Sequence, residues 1–142
     1  MASIAGKETK PEILIRSVLF KQGFRFRKNV KALPGTPDIV LTKYKTVIFV
    51  HGCFWHGHKH CKAAKLPATN KIFWKQKINS NKKRDKKNIA SLNKLGWKVL
   101  IIWQCQISNN AKRKNVFIHL ANFLGNKGDR YNYSRSSLQI NH

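Results

Sequence analysis

Between residues 51 and 61 the chain reads His51-Gly52-Cys53-Phe54-Trp55-His56-Gly57-His58-Lys59-His60-Cys61. Thiols and imidazoles packed this densely have little reason to sit in an apolar core. They suit a tetrahedral zinc site, which takes four N or S ligands from a short loop and one distant element. Cys53, His58 and Cys61 supply three ligands, and Cys105 is the only cysteine left in the chain. His60 is an alternative to His58. A site of this kind constrains the fold directly: the loop must be stapled to whatever element carries Cys105. The competing reading is a set of unrelated thiols and surface histidines, but it leaves the use of every cysteine unexplained.

The rest of the pattern supplies the elements to be stapled. Thr9-Lys10-Pro11-Glu12 reads as a helix start, with Thr9 as cap and Glu12 completing a capping box. Ile13, Leu14, Val18 and Leu19 repeat at helical spacing, and Gly23 marks the stop. Phe24 to Val30 alternates as a strand with one wet face. The turn-rich Leu33–Pro37 leads into a short strand, Asp38 to Leu41, then a turn at Lys43–Lys45 and a strand from Thr46 to His51. A long basic helix is predicted from Thr69 or Asn70 to Gly96, with Ile78, Ile89, Leu92 and Leu95 on its apolar face and Lys82–Lys87 solvated or facing phosphate. A buried strand, Trp97 to Trp103, and a helix, Asn109 to Leu124, follow. This order predicts an α/β fold, a mixed central sheet flanked by helices on both faces, as one domain over residues 1–125 with a polar C-terminal tail at 126–142.

The charge narrows the partner. Twenty-nine Lys and Arg face 5 Asp and Glu, a formal net charge of +24. A surplus that large marks a polyanion partner, because contacts to phosphates release counterions into bulk salt. It also makes the carboxylates informative, since Glu8, Glu12, Asp38, Asp85 and Asp129 are the only candidates for holding a hard divalent cation. Asp38 follows Gly35-Thr36-Pro37 at a strand start, but a Pro-Asp pair by itself is common in turns, and no Glu-x-Lys follows on the next strand. No apolar run has signal-peptide or membrane-spanning length, so the chain reads as cytosolic.

Six blocks in colinear order carry a resemblance. They are Lys10-Pro11-Glu12, Leu33 to Val40, His51 to His58, Leu66 to Trp74, Asn81 to Asp85, and Gly96 to Cys105. Over about residues 3 to 105 the chain resembles the very-short-patch-repair (Vsr) DNA mismatch endonucleases, and the His-Gly-Cys-Phe-Trp-His block is the most specific part. The resemblance implies a restriction-endonuclease-like fold with a zinc-stapled loop. It implies a Mg2+-dependent endonuclease that nicks 5′ of the thymine in T·G mismatches left by 5-methylcytosine deamination.

By the same resemblance, Asp38 and the backbone carbonyl of Val50 would bind magnesium, and Glu12 would hold a water on that metal. His56 would be the general base, a role suited to a side chain that titrates near neutrality, and His51 would sit beside the scissile phosphate. Structural Zn2+ would be held by Cys53, His58, Cys61 and Cys105, with one residue more between His58 and Cys61 than in the best-known form of the motif. Phe54, Trp55 and Trp74 would form a wedge that enters the duplex beside the mismatch. The implied partner is double-stranded DNA bound by a monomer, in a bacterial, nucleoid-associated setting linked to a cytosine methyltransferase and mismatch-repair proteins. Two other readings share these residues: a restriction-type nuclease on the same scaffold, and a non-catalytic zinc-containing DNA-binding module.

Overall fold

The computed structural model describes residues 10–125. Thr9, the predicted cap, and the 126–142 tail lie outside the described residues. Helix α1 runs Lys10–Lys21 and buries Ile15 and Leu19, with Glu12 and Arg16 also buried one turn apart. Its end is a Schellman stop: Gly23 takes φ +91°, its N–H donates to Phe20 O at 3.0 Å, and Phe24 N–H donates to Leu19 O at 3.0 Å. Gly96 ends the long helix by the same device, with φ +92° and Trp97 N–H donating to Leu92 O at 3.0 Å.

Strand β1 is only Arg27–Lys28, much shorter than the predicted Phe24–Val30. Asn29 turns left-handed at φ 50° just after the strand, though its N–H still donates to Asp38 O at 3.1 Å, while Phe24 and Phe26 pack against the core as loop residues. Strands β2 (Ile39–Leu41) and β3 (Thr46–His51) are antiparallel neighbours, and β4 (Lys98–Trp103) pairs parallel to β3 from Thr46↔Lys98 to His51↔Trp103. The sheet order is β1-β2-β3-β4. A parallel neighbour requires a crossover, which α2 (Lys71–Lys94) provides. The last helix, α3, spans Asn110–Gly125, and Asn109 Oδ1 accepts from Lys112 N–H at 2.9 Å as its N-cap.

Strand alternation splits the core in two. Ile39, Leu41, Ile48, Leu100 and Ile102 face α1 and α3, whereas Val40, Val47 and Phe49 pack with Leu92 of α2. Helices therefore cover both faces of a mixed sheet. Leu95 departs from its predicted core position: it is 56 % exposed, because the helix ends there and carries it past the sheet. Among the described residues no helix is long and apolar enough to cross a membrane.

Candidate active site and metal centre

The parallel pair β3–β4 ends at His51 and Trp103, and both candidate sites are built around that end. After β3 the chain closes a compact turn: His56 N–H donates to Gly52 O at 3.2 Å, and His58 N–H donates to Cys53 O at 3.0 Å. A 3-10 turn, Gln104–Ile107, follows β4 and brings Cys105 back to this loop. Ligand atoms of Cys53, His58, Cys61 and Cys105 consequently all lie within 4.8 Å of one another. Four N/S donors so close form a set that could hold a metal ion. His60 is exposed at φ 54° and stands outside the set. Burial pushes the Cys53 thiol up to about 12. Cys61 is held below the usual value, because the Ala63 backbone and the neighbouring sulfurs outweigh its burial.

On the other side of Trp103 lies a cleft of 590 Å³, lined among others by Glu12, Asp38, Val50, His51, His56 and Asp85. Asp38 and His56, distant in sequence, thus face one common space. The Asp38 carboxylate accepts the Val50 N–H at 2.7 Å. Burial lifts it to about 7, with the Val50 bond opposing and the negative charge of Glu12 adding to the rise. Glu12 is 5 % exposed and pairs with Arg16 at 3.5 Å. The contact seen at Val50 is made by its N–H, beside the carbonyl predicted to matter.

His51 and His56 stack face to face, with centroids 3.7 Å apart and planes within 4°. His51 is 6 % exposed, and its Nδ1 has no hydrogen-bond partner among the described residues. Burial, helped by the His56 charge, holds its basicity down to about 3, so it stays neutral at ordinary pH. His56 Nδ1 meets Asp85 Oδ2 at 2.7 Å. That bond orients the ring and leaves the other nitrogen for chemistry. Trp103 partitions the two sites, stacking on His58 at 4.1 Å and standing edge-on to His51 at 5.2 Å.

From the sequence Asp85 takes no role beyond its place among the five carboxylates. A signal was present: it is the lone acid in the Lys82–Lys87 run of a chain with 5 carboxylates. Arg84 and Asn88 also line the cleft from α2. Phe54, Trp55 and Trp74 do come together, with centroids 5.1 to 5.8 Å apart, and Phe73 extends the wall at 5.0 Å from Trp74. Trp55 is 51 % and Phe73 57 % exposed. A second hollow of 360 Å³ touches Glu12, Val50, His51 and His56 and extends the cleft to Trp55.

A cleft of this kind can hold a hard cation at Asp38 and take a proton from water at His56. Within a chain of net charge +24 the ester it suits is an anionic one, as a phosphodiester hydrolase would take. The family described as DNA mismatch endonuclease Vsr matches residues 1–63. A type II nicking enzyme of Neisseria meningitidis serogroup A, V.NmeAIP, is 54% identical over 78% of this chain and 79% of its own. The DNA mismatch endonuclease Vsr of Escherichia coli K12 is 46% identical over 79% of this chain and 71% of its own. The type II nicking enzyme V.XorIIP of Xanthomonas oryzae is 46% identical over 82% of this chain and 88% of its own. The chain belongs to the DNA mismatch endonuclease Vsr family and is an endonuclease.

Proposed function

We propose that this protein nicks one strand of duplex DNA 5′ of the thymine in a T·G mismatch, using Mg2+ at Asp38. The observation that carries the reading is the shared cleft: Asp38, stacked His51 and His56, and the His56–Asp85 pair line one space that opens toward exposed aromatic rings. The donor sets suit two different metals. Asp38, lifted by burial and by the charge of Glu12, is an anionic pocket whose ionised form a hard cation would restore. The three thiols and one imidazole of the other cluster are the soft set that zinc takes.

In this reading Asp38 and the Val50 carbonyl would hold Mg2+, and Glu12 would add negative charge beside them. Bound there, the cation would polarise the phosphate and ease departure of the leaving oxygen. Asp85 accepts the His56 Nδ1–H, and the other ring nitrogen takes a proton from the attacking water. Water adds to phosphorus, the bond to the 3′ oxygen breaks, that oxygen takes a proton from solvent to become a hydroxyl, and a 5′-phosphate remains. Neutral His51 would sit beside the scissile phosphate. Cys53, His58, Cys61 and Cys105 would hold structural Zn2+, which would fix the turn carrying His56 to the strand carrying Trp103. The aromatic wall of Phe54, Trp55 and Trp74 enters the duplex where a wobble pair unstacks cheaply, its rings replacing the lost stacking.

The mixed sheet with helices on both faces accords with a restriction-endonuclease-like fold. In this reading the protein acts as a monomer on the bacterial nucleoid, downstream of a cytosine methyltransferase and beside mismatch-repair proteins; the bacterial sources of its relatives support the bacterial part of that setting. One experiment tests the core of this reading. Nicking of T·G, matched and branched duplexes is compared with Mg2+ and with EDTA, for the unsubstituted protein and Asp38→Ala. Only T·G with Mg2+ should be cut quickly, and Asp38→Ala should lose roughly 10³-fold in rate while staying folded. Equal cutting of branched or matched DNA, or an Asp38→Ala variant as fast as the parent, sinks it.

A further inference from the structure

Helix α2 meets the turn after β3 along one stripe of its surface. Gly57 approaches so closely that a Cβ there would come within 2.7 Å of Ile78 Cγ2. One turn of helix further, Asn81 Nδ2 donates to the Trp55 carbonyl at 2.9 Å, and a turn beyond that Asp85 meets His56. Three neighbouring residues of the loop are thus tied to three successive turns of one helix, though not in the same order. Trp55 sends its ring to the aromatic wall, whereas His56 sends its ring to the cleft.

Asn81 is 7 % exposed in mid-helix, where asparagine is a poor helix former and a buried amide needs partners. It has them at both ends, since Oδ1 accepts from Arg84 Nη2 at 2.9 Å. The carbonyl it grips belongs to the same planar peptide unit as the His56 N–H, which donates to Gly52 O. That plane is held from both edges, so these two bonds fix the orientation of the peptide that joins Trp55 to His56.

We propose that Asn81 is a positioning residue that sets the register between the aromatic wall and the His56 imidazole, so that seating the wall in DNA aligns the cleft. The inference rests on the mismatch-nicking function proposed above. It is tested by single- and multiple-turnover nicking of T·G and matched duplexes by the metal-loaded protein, with Asn81→Ala and Asn81→Asp. Aspartate keeps an acceptor for Arg84 but lacks the donor to Trp55. Both variants should lose about 10- to 100-fold in kcat on T·G, the scale expected when a catalytic group is displaced by an ångström. KM should change little, because duplex affinity comes chiefly from the basic surface. The preference for T·G over matched DNA should collapse.

A merely structural role would lower the single-turnover amplitude and leave the rate per active molecule intact. That result overturns the proposal, as does unchanged rate and preference in both variants. If neither variant folds, the side-chain amide resonances of Asn81 in the unsubstituted protein decide. They should shift together with the His56 ring on adding T·G duplex but not matched duplex, and equal responses overturn the proposal. An unsubstituted protein with no preference for T·G defeats the proposed function instead, a distinct outcome.

Discussion

The Cys/His cluster and the cleft draw on the same short segment, residues 51–61, and share Trp103 as a wall, yet their polar groups are arranged in opposite ways. In the cluster, four donors converge within 4.8 Å and need nothing from elsewhere except a cation. In the cleft, polar groups are buried without closing on one another. His51 Nδ1 lacks a partner among the described residues, and Asp38 is lifted to about 7. With a cation bound, the first arrangement would convert ligand chemistry into stability. In the proposed function, the second gives up stability to keep groups ready for a substrate and a cation.

The largest expected effect that would break this contrast falls on the cluster. Cys53 is 3 % exposed. Cys53→Ser should lower Tm on the order of 10 °C, or ~3 kcal/mol in a domain of this size, with loss of bound metal measured alongside by calorimetry and atomic spectroscopy. An unchanged Tm would mean the cluster is not a staple. Next comes Asp85→Asn. Loss of the orienting carboxylate should lower kcat about 10- to 100-fold while stability shifts by roughly 1 kcal/mol or less. A Tm drop matching that of Cys53→Ser would erase the distinction between the two regions.

The smallest effect is in pH dependence. Burial raises Asp38 from 3.8 to about 7, so its contribution to stability is complete below pH 3.8 and is lost as pH rises through about 7. His51 runs the other way: lowered from 6.5 to about 3, it contributes fully above pH 6.5 and loses that contribution as pH falls toward about 3. In EDTA, Asp38→Asn should therefore be the more stable protein at about pH 8, by on the order of 1 kcal/mol after allowing for partial exposure, and should show no gain near about pH 4. Mg2+ should shrink the gain by favouring the ionised parent. Thermal melts across pH check each part, and a gain at acid pH alone would reverse the assigned sign.

Much of the framework was legible before any coordinates. Strand β3 spans Thr46–His51 as its β-branched pattern indicates, and β4 and α2 begin within a residue or two of the positions their turn residues suggest. The convergence of Cys53, Cys61 and Cys105 could be anticipated because few residue types hold a soft cation and the chain has only three cysteines. The two-residue β1 and the exposed Leu95 could not, since a left-handed Asn29 and the overhang of α2 depend on where the sheet ends.

What the amino-acid sequence alone determined is therefore the inventory: element types, a basic surface, a ligand-rich loop and the few acids able to hold a cation. Those follow from local periodicity and from chemistry that belongs to single residues. The tertiary structure alone decided which residues meet. His56 and Asp85 are 29 residues apart and Trp55 and Asn81 26, and their pairing depends on the rotation of α2 against the turn after β3. That rotation is set by packing of Leu92 under the sheet and of Ile78 against Gly57, contacts that no local pattern encodes.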